Sequence, residues 1–389
     1  MKAFDQVNHS LLLQKLHDFG INPLFCNWFH DFLSSRTFSV KVNNHIDPNI
    51  HPISSGVPKG SVSGPFLFLI FINSLLLSVP PSISCSAFAD DLKVYSHSPP
   101  LIQTTIDLIT TWSENNKLPL AVHKAALLNK LGFSSNCVLL LAPLINSLVC
   151  RLLAASRTGV STVAHSKTCL LHLGKKNPKT VYKINNLPIS PSNIARDLGI
   201  LTDSKLTFKP HIKKIVSLAL LRCKQLLKSF KSLCPEFYCN LFKTYILPLI
   251  EYGSAVYSPK PSSSLSTLLE KPLRWYSQKV LQKFNVSYSL YNDRLKSLNL
   301  HSIRHRRLKS KLILLYKFCC GTSFLRRKET FFKLSTSSRR PMRIICHNPS
   351  SNNFFSDTIS FWNAITNNCD TFLSPIHFEN LVDNSITRL

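Results

Sequence analysis

The order of apolar and polar positions divides the chain into segments of different period. In residues 9–19, Leu12, Leu13, Leu16 and Phe19 recur at helical spacing, which predicts an amphipathic helix ended by Gly20. A second short helix is expected over 28–33. Residues 38–42 then alternate like a strand, and Asn43-Asn44 supplies a turn. Residues 66–77 are apolar on every side, the pattern of a buried helix. Two short strands are expected over 82–88 and 92–95, flanking Ala89-Asp90-Asp91. A helix follows over 102–115, with Ile106, Ile109 and Trp112 in register.

Residues 124–165 break this style. They contain no acidic side chain, no Trp and no Tyr, and they read as an insertion. Beyond Asp203 the pattern turns helical and basic. Residues 205–231 hold eight cations, among them Lys205, Lys209, Lys213, Lys214, Arg222 and Lys224, and no acid. Ile212, Ile215, Leu218, Leu226 and Phe230 form the expected core stripe, leaving the cations for phosphates or solvent. Residues 303–318 repeat the theme with Arg304, Arg306, Arg307, Lys309, Lys311 and Lys317. After Gly321 the composition shifts to Ser, Asn and Phe, the mark of a loose tail with packed pieces such as Phe361-Trp362-Asn363.

At 389 residues and 44% hydrophobic, the chain has material for two or three cores and is not a disordered protein. Its net charge of +28 is unevenly placed: residues 1–124 hold eight basic and eight acidic side chains, so the rest carries the whole excess. A neutral front with a basic back suits a catalytic region followed by one that grips a polyanion such as nucleic acid. A generally basic surface is the competing reading. The twelve cysteines have no CxxC spacing, and the weak cluster of Cys319, Cys320, Cys346 and His347 is outweighed by reduced, unpaired thiols. No signal peptide is read at the N-terminus, and the apolar runs 66–77 and 137–150 are too short to span a bilayer. An intracellular location, nuclear or cytoplasmic, with no membrane contact is therefore expected.

Asp90 and Asp91 place adjacent carboxylates at a hairpin turn, where their repulsion is relieved by a hard cation such as Mg²⁺. Three of the ten glycines, Gly56, Gly60 and Gly64, fall within nine residues, in a loop whose backbone can approach a base or phosphate. It is not a Walker loop, because Lys59 precedes Gly60.

Taken together, Lys2-Ala3-Phe4-Asp5-Gln6-Val7-Asn8-His9, the loop of residues 55–65 and Phe88-Ala89-Asp90-Asp91 resemble the reverse transcriptases of non-LTR (LINE-type, CR1/Jockey-like) retrotransposons. Trp112-Ser113-Glu114, Asp197-Leu198-Gly199-Ile200, Leu249-Ile250-Glu251-Tyr252 and Arg306-Arg307 extend the likeness over nearly the whole chain outside 124–165. The resemblance implies an α+β fold: a polymerase palm, with an antiparallel sheet and packed helices, then a mainly helical basic thumb and C-terminal region. It implies partial palm and fingers over 1–123, an insertion over 124–165, the end of the palm over 166–202, a thumb and connection over 203–320 and a tail over 321–389.

It also implies RNA-directed DNA polymerase activity, phosphoryl transfer with two Mg²⁺ ions on an RNA template and DNA primer with deoxynucleoside triphosphates. Asp90 and Asp91 match the catalytic, metal-binding carboxylates. Phe4 matches the residue beneath the incoming sugar, Pro58, Gly60 and Ser61 match the nucleotide pocket, and Leu198 with Gly199 matches the primer grip. Lys205, Lys209, Lys213, Lys214, Arg222 and Lys224 fall where the thumb meets nucleic acid.

Three departures stand out. The family's first catalytic Asp lies three positions before the residue matching Lys2, hence before Met1, so a truncated and impaired enzyme is expected. Lys59 replaces the usual Gln of the loop, and Ser63 and Ser74 replace a Leu and an Asp of the following helix. The family runs without a break across 124–165. A non-catalytic nucleic-acid-binding remnant or a pseudogene product is the alternative reading; a group II intron-type maturase fits the region after Asp203 less well.

Overall fold

The computed structural model describes residues 3–43, 45–88, 91–118, 126–130, 169–174, 177–232, 234–260, 262–286, 290–321, 332–335, 340–347, 354–367, 369 and 373–386. They fall into two compact units, one drawn from Met1–Gly132 and Leu152–Asp197, the other from Leu198 onward.

The first unit opens with a 3-10 turn, Ala3–Asp5, and helix α1, His9–Asp18. Asn8 caps α1 by accepting the Leu11 N–H at 3.0 Å, and Gly20 turns the chain with φ +81°. Helix α2, Pro23–Leu33, starts five residues before the expected position, because Asn22 caps it and Pro23 needs no N–H partner at the first turn. Two short antiparallel pairs follow: β1 (Thr37–Phe38) with β4 (His51–Pro52), and β2 (Lys41–Val42) with β3 (His45–Ile46).

Helix α3, Ser63–Ser78, buries Leu67, Phe68, Phe71 and Leu75. It is not buried all round, as its pattern suggested, since Phe66, Leu69 and Leu77 are 48%, 58% and 76% exposed. Strands β5 (Ser84–Phe88) and β6 (Asp91–Ser96) form the expected antiparallel hairpin, and α4, Pro99–Asn115, follows.

The sheet is antiparallel only there. Strand β7 (Ala126–Lys130) pairs parallel with β6, and β8 (Leu170–Leu173) pairs parallel with β7, giving the order β5-β6-β7-β8. A parallel pair needs a crossover, and α4 supplies the one between β6 and β7. Strand β7 belongs to the segment read as an insertion; residues 131–165 lie outside the described residues. Strands β9 (Lys183–Ile184) and β10 (Leu187–Pro188) form a hairpin tied to α4 by Gln103, which donates to Lys183 O and accepts from Lys183 N, each at 2.9 Å. Strand β11, Ile194–Asp197, ends this unit. Its core runs from Val7 and Leu12 through α3 to Ile106, Ile109, Tyr182 and Ile184.

The second unit contains β12 (Ile200–Asp203) and α5 (Lys209–Ser229). Helix α5 buries Ile212, Ile215, Val216, Ala219 and Cys223, whereas Leu218 and Phe230, assigned to its core stripe, are 42% and 39% exposed. Steps of three and four from Ile212 lead to Ala219 and Cys223, and Leu218 lies about 100° from Ala219 around the axis. Helices α6 (Pro235–Leu241) and α7 (Leu247–Glu251) are joined by a π turn, Phe242–Ile246, where Leu247 N–H bonds Phe242 O. Pro248 cannot donate a helical hydrogen bond, which favours the irregular turn.

Helices α8 (Ser264–Lys283), α9 (Tyr291–Ser297) and α10 (Ile303–Cys319) complete this core. The stretch after Gly321 is no loose tail where it is described. Strands β13 (Phe332–Leu334) and β14 (Ile344–Cys346) pair, and α11 (Phe354–Ile365) and α12 (Pro375–Ile386) pack on α10 around Trp362, Phe355 and Phe378. Among the described residues no helix is long and apolar enough to cross a membrane.

Candidate active site

The run of residues 3–9 and the glycine loop, some fifty positions apart in sequence, are knitted together in the first unit. Gly56 N–H donates to Val7 O and Val57 N–H to Phe4 O, both at 2.8 Å. His9 Nε2 meets Gly56 O at 2.8 Å, Ser55 Oγ donates to Asp5 O at 3.0 Å, and Asn8 forms a β-bridge with Ser55. This approach requires glycine: a Cβ at residue 56 would lie 2.8 Å from Asp5 Cα, and its φ is +91°. The Phe4 ring stacks on Phe68 of α3, centroids 4.3 Å apart. Phe4 is thus fixed at one edge of the loop.

Ser61 Oγ donates to Pro58 O at 2.8 Å and accepts Gly64 N–H at 2.9 Å, closing the turn that leads into α3. A Cβ on Gly64 would collide with Pro58 O at 2.2 Å. Gly60, with φ +84°, has open space where its Cβ would be, so its glycine serves the turn and leaves that side clear. Pro58, Gly60 and Ser61 therefore do share one turn, beside Phe4.

Lys59, the residue standing for the family's usual Gln, ion-pairs with Asp5 through its Nζ. Both side chains are about half exposed, so the pair adds little stability, but it occupies the carboxylate of the Lys-Ala-Phe-Asp run. Ser74, standing for an Asp, accepts from Lys15 Nζ at 2.7 Å and from Trp112 Nε1 at 3.1 Å. Burial lowers the Lys15 pKa, with Asp18 opposing, and the ammonium lies 5.4 Å from the Phe71 ring centroid. An Asp at position 74 would answer that charge; serine answers it with a dipole.

At the hairpin, Phe88 pairs with Asp91 across β5 and β6. Ala89 and Asp90 lie outside the described residues, as do Met1 and Lys2. Among the described residues no three His, Cys, Asp or Glu side chains converge on a metal position, and Cys319, Cys320, Cys346 and His347 are not brought together as one.

Behind the hairpin is an ion pair that sequence reasoning missed. Lys93 Nζ lies 2.6 Å from Asp197 Oδ1, with both side chains under 10% exposed. It joins β6 to β11. Apolar alternation hid it, because Lys93 occupies an inward position between Leu92 and Val94, and all three are buried. Tyr95, farther along β6, has its phenol pKa pushed up by burial.

Leu198 and Gly199, in the second unit, form a turn with φ of +44° and +89°, and Tyr252 hydroxyl donates to Leu198 O at 2.8 Å. Lys205, Lys209, Lys213, Lys214, Arg222 and Lys224 are all exposed on or just before α5. The cations of α10 behave differently from the expected phosphate-facing stripe. Arg306 pairs with Glu251, Lys309 with Glu379 and Asp383, and Arg307 is buried, donating to the carbonyls of Ile250, Ser254 and Tyr257. Lys311 is buried too.

Residues 1–166 match the family model described as reverse transcriptase (RNA-dependent DNA polymerase). That segment belongs to the reverse transcriptase family. An uncharacterized protein of Caenorhabditis elegans is 43% identical over 116 residues, 30% of this chain and 58% of that protein. The RNA-directed DNA polymerase from mobile element jockey of Drosophila melanogaster is 25% identical over 282 residues, 69% of this chain and 26% of its own length. The probable RNA-directed DNA polymerase from transposon X-element of the same fly is 25% identical over 267 residues, 66% of this chain and 25% of its own length. These reverse transcriptase relatives bear out the resemblance to non-LTR retrotransposons, and the chain spans about a quarter of their length.

Proposed function

We propose that the chain provides the polymerase region of a retrotransposon reverse transcriptase, with palm segments over 1–123 and 166–202, a basic thumb and connection over 203–320 and a C-terminal part over 321–389. The observation that carries this reading is the junction of the Phe4 turn with the glycine loop, within the segment that matches the family. In this assignment Phe4 lies beneath the incoming sugar and Pro58, Gly60 and Ser61 shape the nucleotide pocket. Leu198 and Gly199 grip the primer, and the exposed lysines of α5 hold the template-primer backbone by charge.

Asp90 and Asp91 offer oxygen ligands only, the donor set that suits Mg²⁺. Two bound Mg²⁺ ions would supply activation of the primer hydroxyl and stabilisation of the leaving pyrophosphate. Deoxynucleoside triphosphates, an RNA template and a DNA primer are the substrates. Asp5, whose backbone meets the loop, is engaged by Lys59; the polypeptide is proposed to be an impaired enzyme.

Primer extension on an RNA template with Mg²⁺ tests both parts. Weak synthesis that disappears in Asp90→Asn is expected. Robust synthesis overturns the impairment, and synthesis that persists in Asp90→Asn overturns the metal assignment. The second reading, a nucleic-acid binder without catalysis, is favoured by the exposed cations of α5; it predicts salt-dependent binding, no synthesis, and indifference to Asp90→Asn.

A further inference from the structure

Helix α8 presents a polar face along an open groove. Thr267, Lys271, Arg274, Trp275 and Gln278 recur at three- and four-residue spacing, opposite the buried Leu269, Leu273 and Tyr276. With Arg294 of α9 they line an open groove of about 550 Å³. The titratable lining is Lys271, Arg274 and Arg294, with no acid among it.

The side chains of Lys271, Trp275 and Gln278 make no hydrogen bond or ion pair among the described residues. Arg274 stacks its guanidinium 4.1 Å from the Tyr291 ring centroid, which holds the cation at the groove it lines. Tyr291 is itself fixed by a 2.7 Å hydrogen bond to Glu270, whose carboxylate also accepts the N–H groups of Ile303 and Arg304 at the start of α10. That acid is therefore committed elsewhere. The contrast with α10, whose Arg306, Arg307 and Lys309 are all engaged internally, marks the α8 cations as available for a ligand.

The groove thus offers hydrogen-bond donors and positive charge beside one indole, half-buried against the core of this unit and lining the groove with its remaining surface. An acceptor-rich polyanion that also carries an aromatic plane matches both. The stripe from Thr267 to Gln278 runs about 16 Å along the helix, longer than one nucleotide. Stacking on Trp275 requires an unpaired base, since a duplex keeps its base faces covered. We propose that this groove between α8 and α9 binds single-stranded nucleic acid, with phosphates on Lys271 and Arg274 and a base on Trp275. The proposal rests on the polymerase reading for its expectation of a polynucleotide partner, and it adds a contact surface separate from the lysines of α5.

The test uses the full chain and a fluorescein-labelled oligouridine, followed by anisotropy across a salt series. Lys271→Gln combined with Arg274→Gln is expected to weaken binding by about tenfold or more and to flatten the salt slope, and Lys271→Gln alone is expected to weaken it without shifting the melting midpoint. Binding should quench indole fluorescence in the parent chain, and Trp275→Phe should remove that quench. Unchanged affinity in these variants, with binding lost in Lys213→Gln/Lys214→Gln, overturns the groove and leaves the polymerase reading standing. Displacement of the strand by equimolar uridine monophosphate overturns the assignment to a strand. Failure of primer extension with groove binding intact overturns the polymerase reading alone.

Discussion

Individual residues carry the parts of the candidate site that sequence spacing could point to but not join. Gly56 was recognisable as one of three clustered glycines; that it lies against the Asp5 backbone is a tertiary fact. Gly56→Ala should therefore cost roughly 2–4 kcal/mol, combining left-handed strain with overpacking, read as a fall in the urea midpoint at constant slope. A neutral outcome would show that the loop and the Phe4 turn are not held as described. Lys93 and Asp197 make the opposite case, a pair with no local signature because the partners lie more than a hundred residues apart. Asp197→Leu strands a buried ammonium and should cost about 3–5 kcal/mol. The double change Lys93→Met/Asp197→Leu should recover most of it in the same denaturation assay. Equal loss in single and double variants would mean that packing, not charge, holds β6 to β11.

At the scale of elements, periodicity placed half of the described helices and both hairpin strands, and missed where a neighbour decides. Helix α3 reads as apolar on all sides, yet only contact partners determine which sides are covered. The cations of α10 read as a phosphate stripe, yet Glu251, Glu379 and Asp383 from other elements claim two of them and backbone carbonyls claim Arg307. Strand β7 poses a sharper question, since it lies within the segment read as inserted and sits between β6 and β8. Without residues 124–165, twelve residues would link α4 to β8, against ten linking α4 to β7 now. Strand β8 could then pair with β6 directly, with Leu170 replacing Leu127 opposite Val94. The shortened protein is expected to keep or raise its melting midpoint. A drop of more than a few degrees would make β7 an integral strand and end the insertion reading.

For the molecule as a whole, the neutral front and basic back in the sequence correspond to two differently built units. The second unit also has a pH sensitivity that composition does not reveal. His211 is buried, takes Leu201 N–H on Nδ1 at 3.4 Å, packs its ring edge-on to Tyr257, and has its pKa pulled down to about 4 by burial and by Arg307 and Lys214. Because its folded pKa is below the unfolded value, the unfolded chain takes the proton first as pH falls. Stability present above about pH 6.5 is thus lost progressively toward about pH 4. His211→Phe should flatten the unfolding midpoint against pH across that window. An unchanged slope would assign the acid sensitivity to other groups.

The sequence by itself pointed to the family of residues 1–166, the order of the motifs, the helices with a clear apolar stripe and the uneven distribution of charge, because these follow from local periodicity and residue identity. Only the tertiary structure decided that the glycine loop closes on the Phe4 turn, that Lys59 occupies Asp5, that Lys93 meets Asp197, and which cations of α8 line a groove. Each of those outcomes depends on partners far apart along the chain, and a side chain's charge or burial becomes chemistry only when the fold brings its neighbour within a few ångströms.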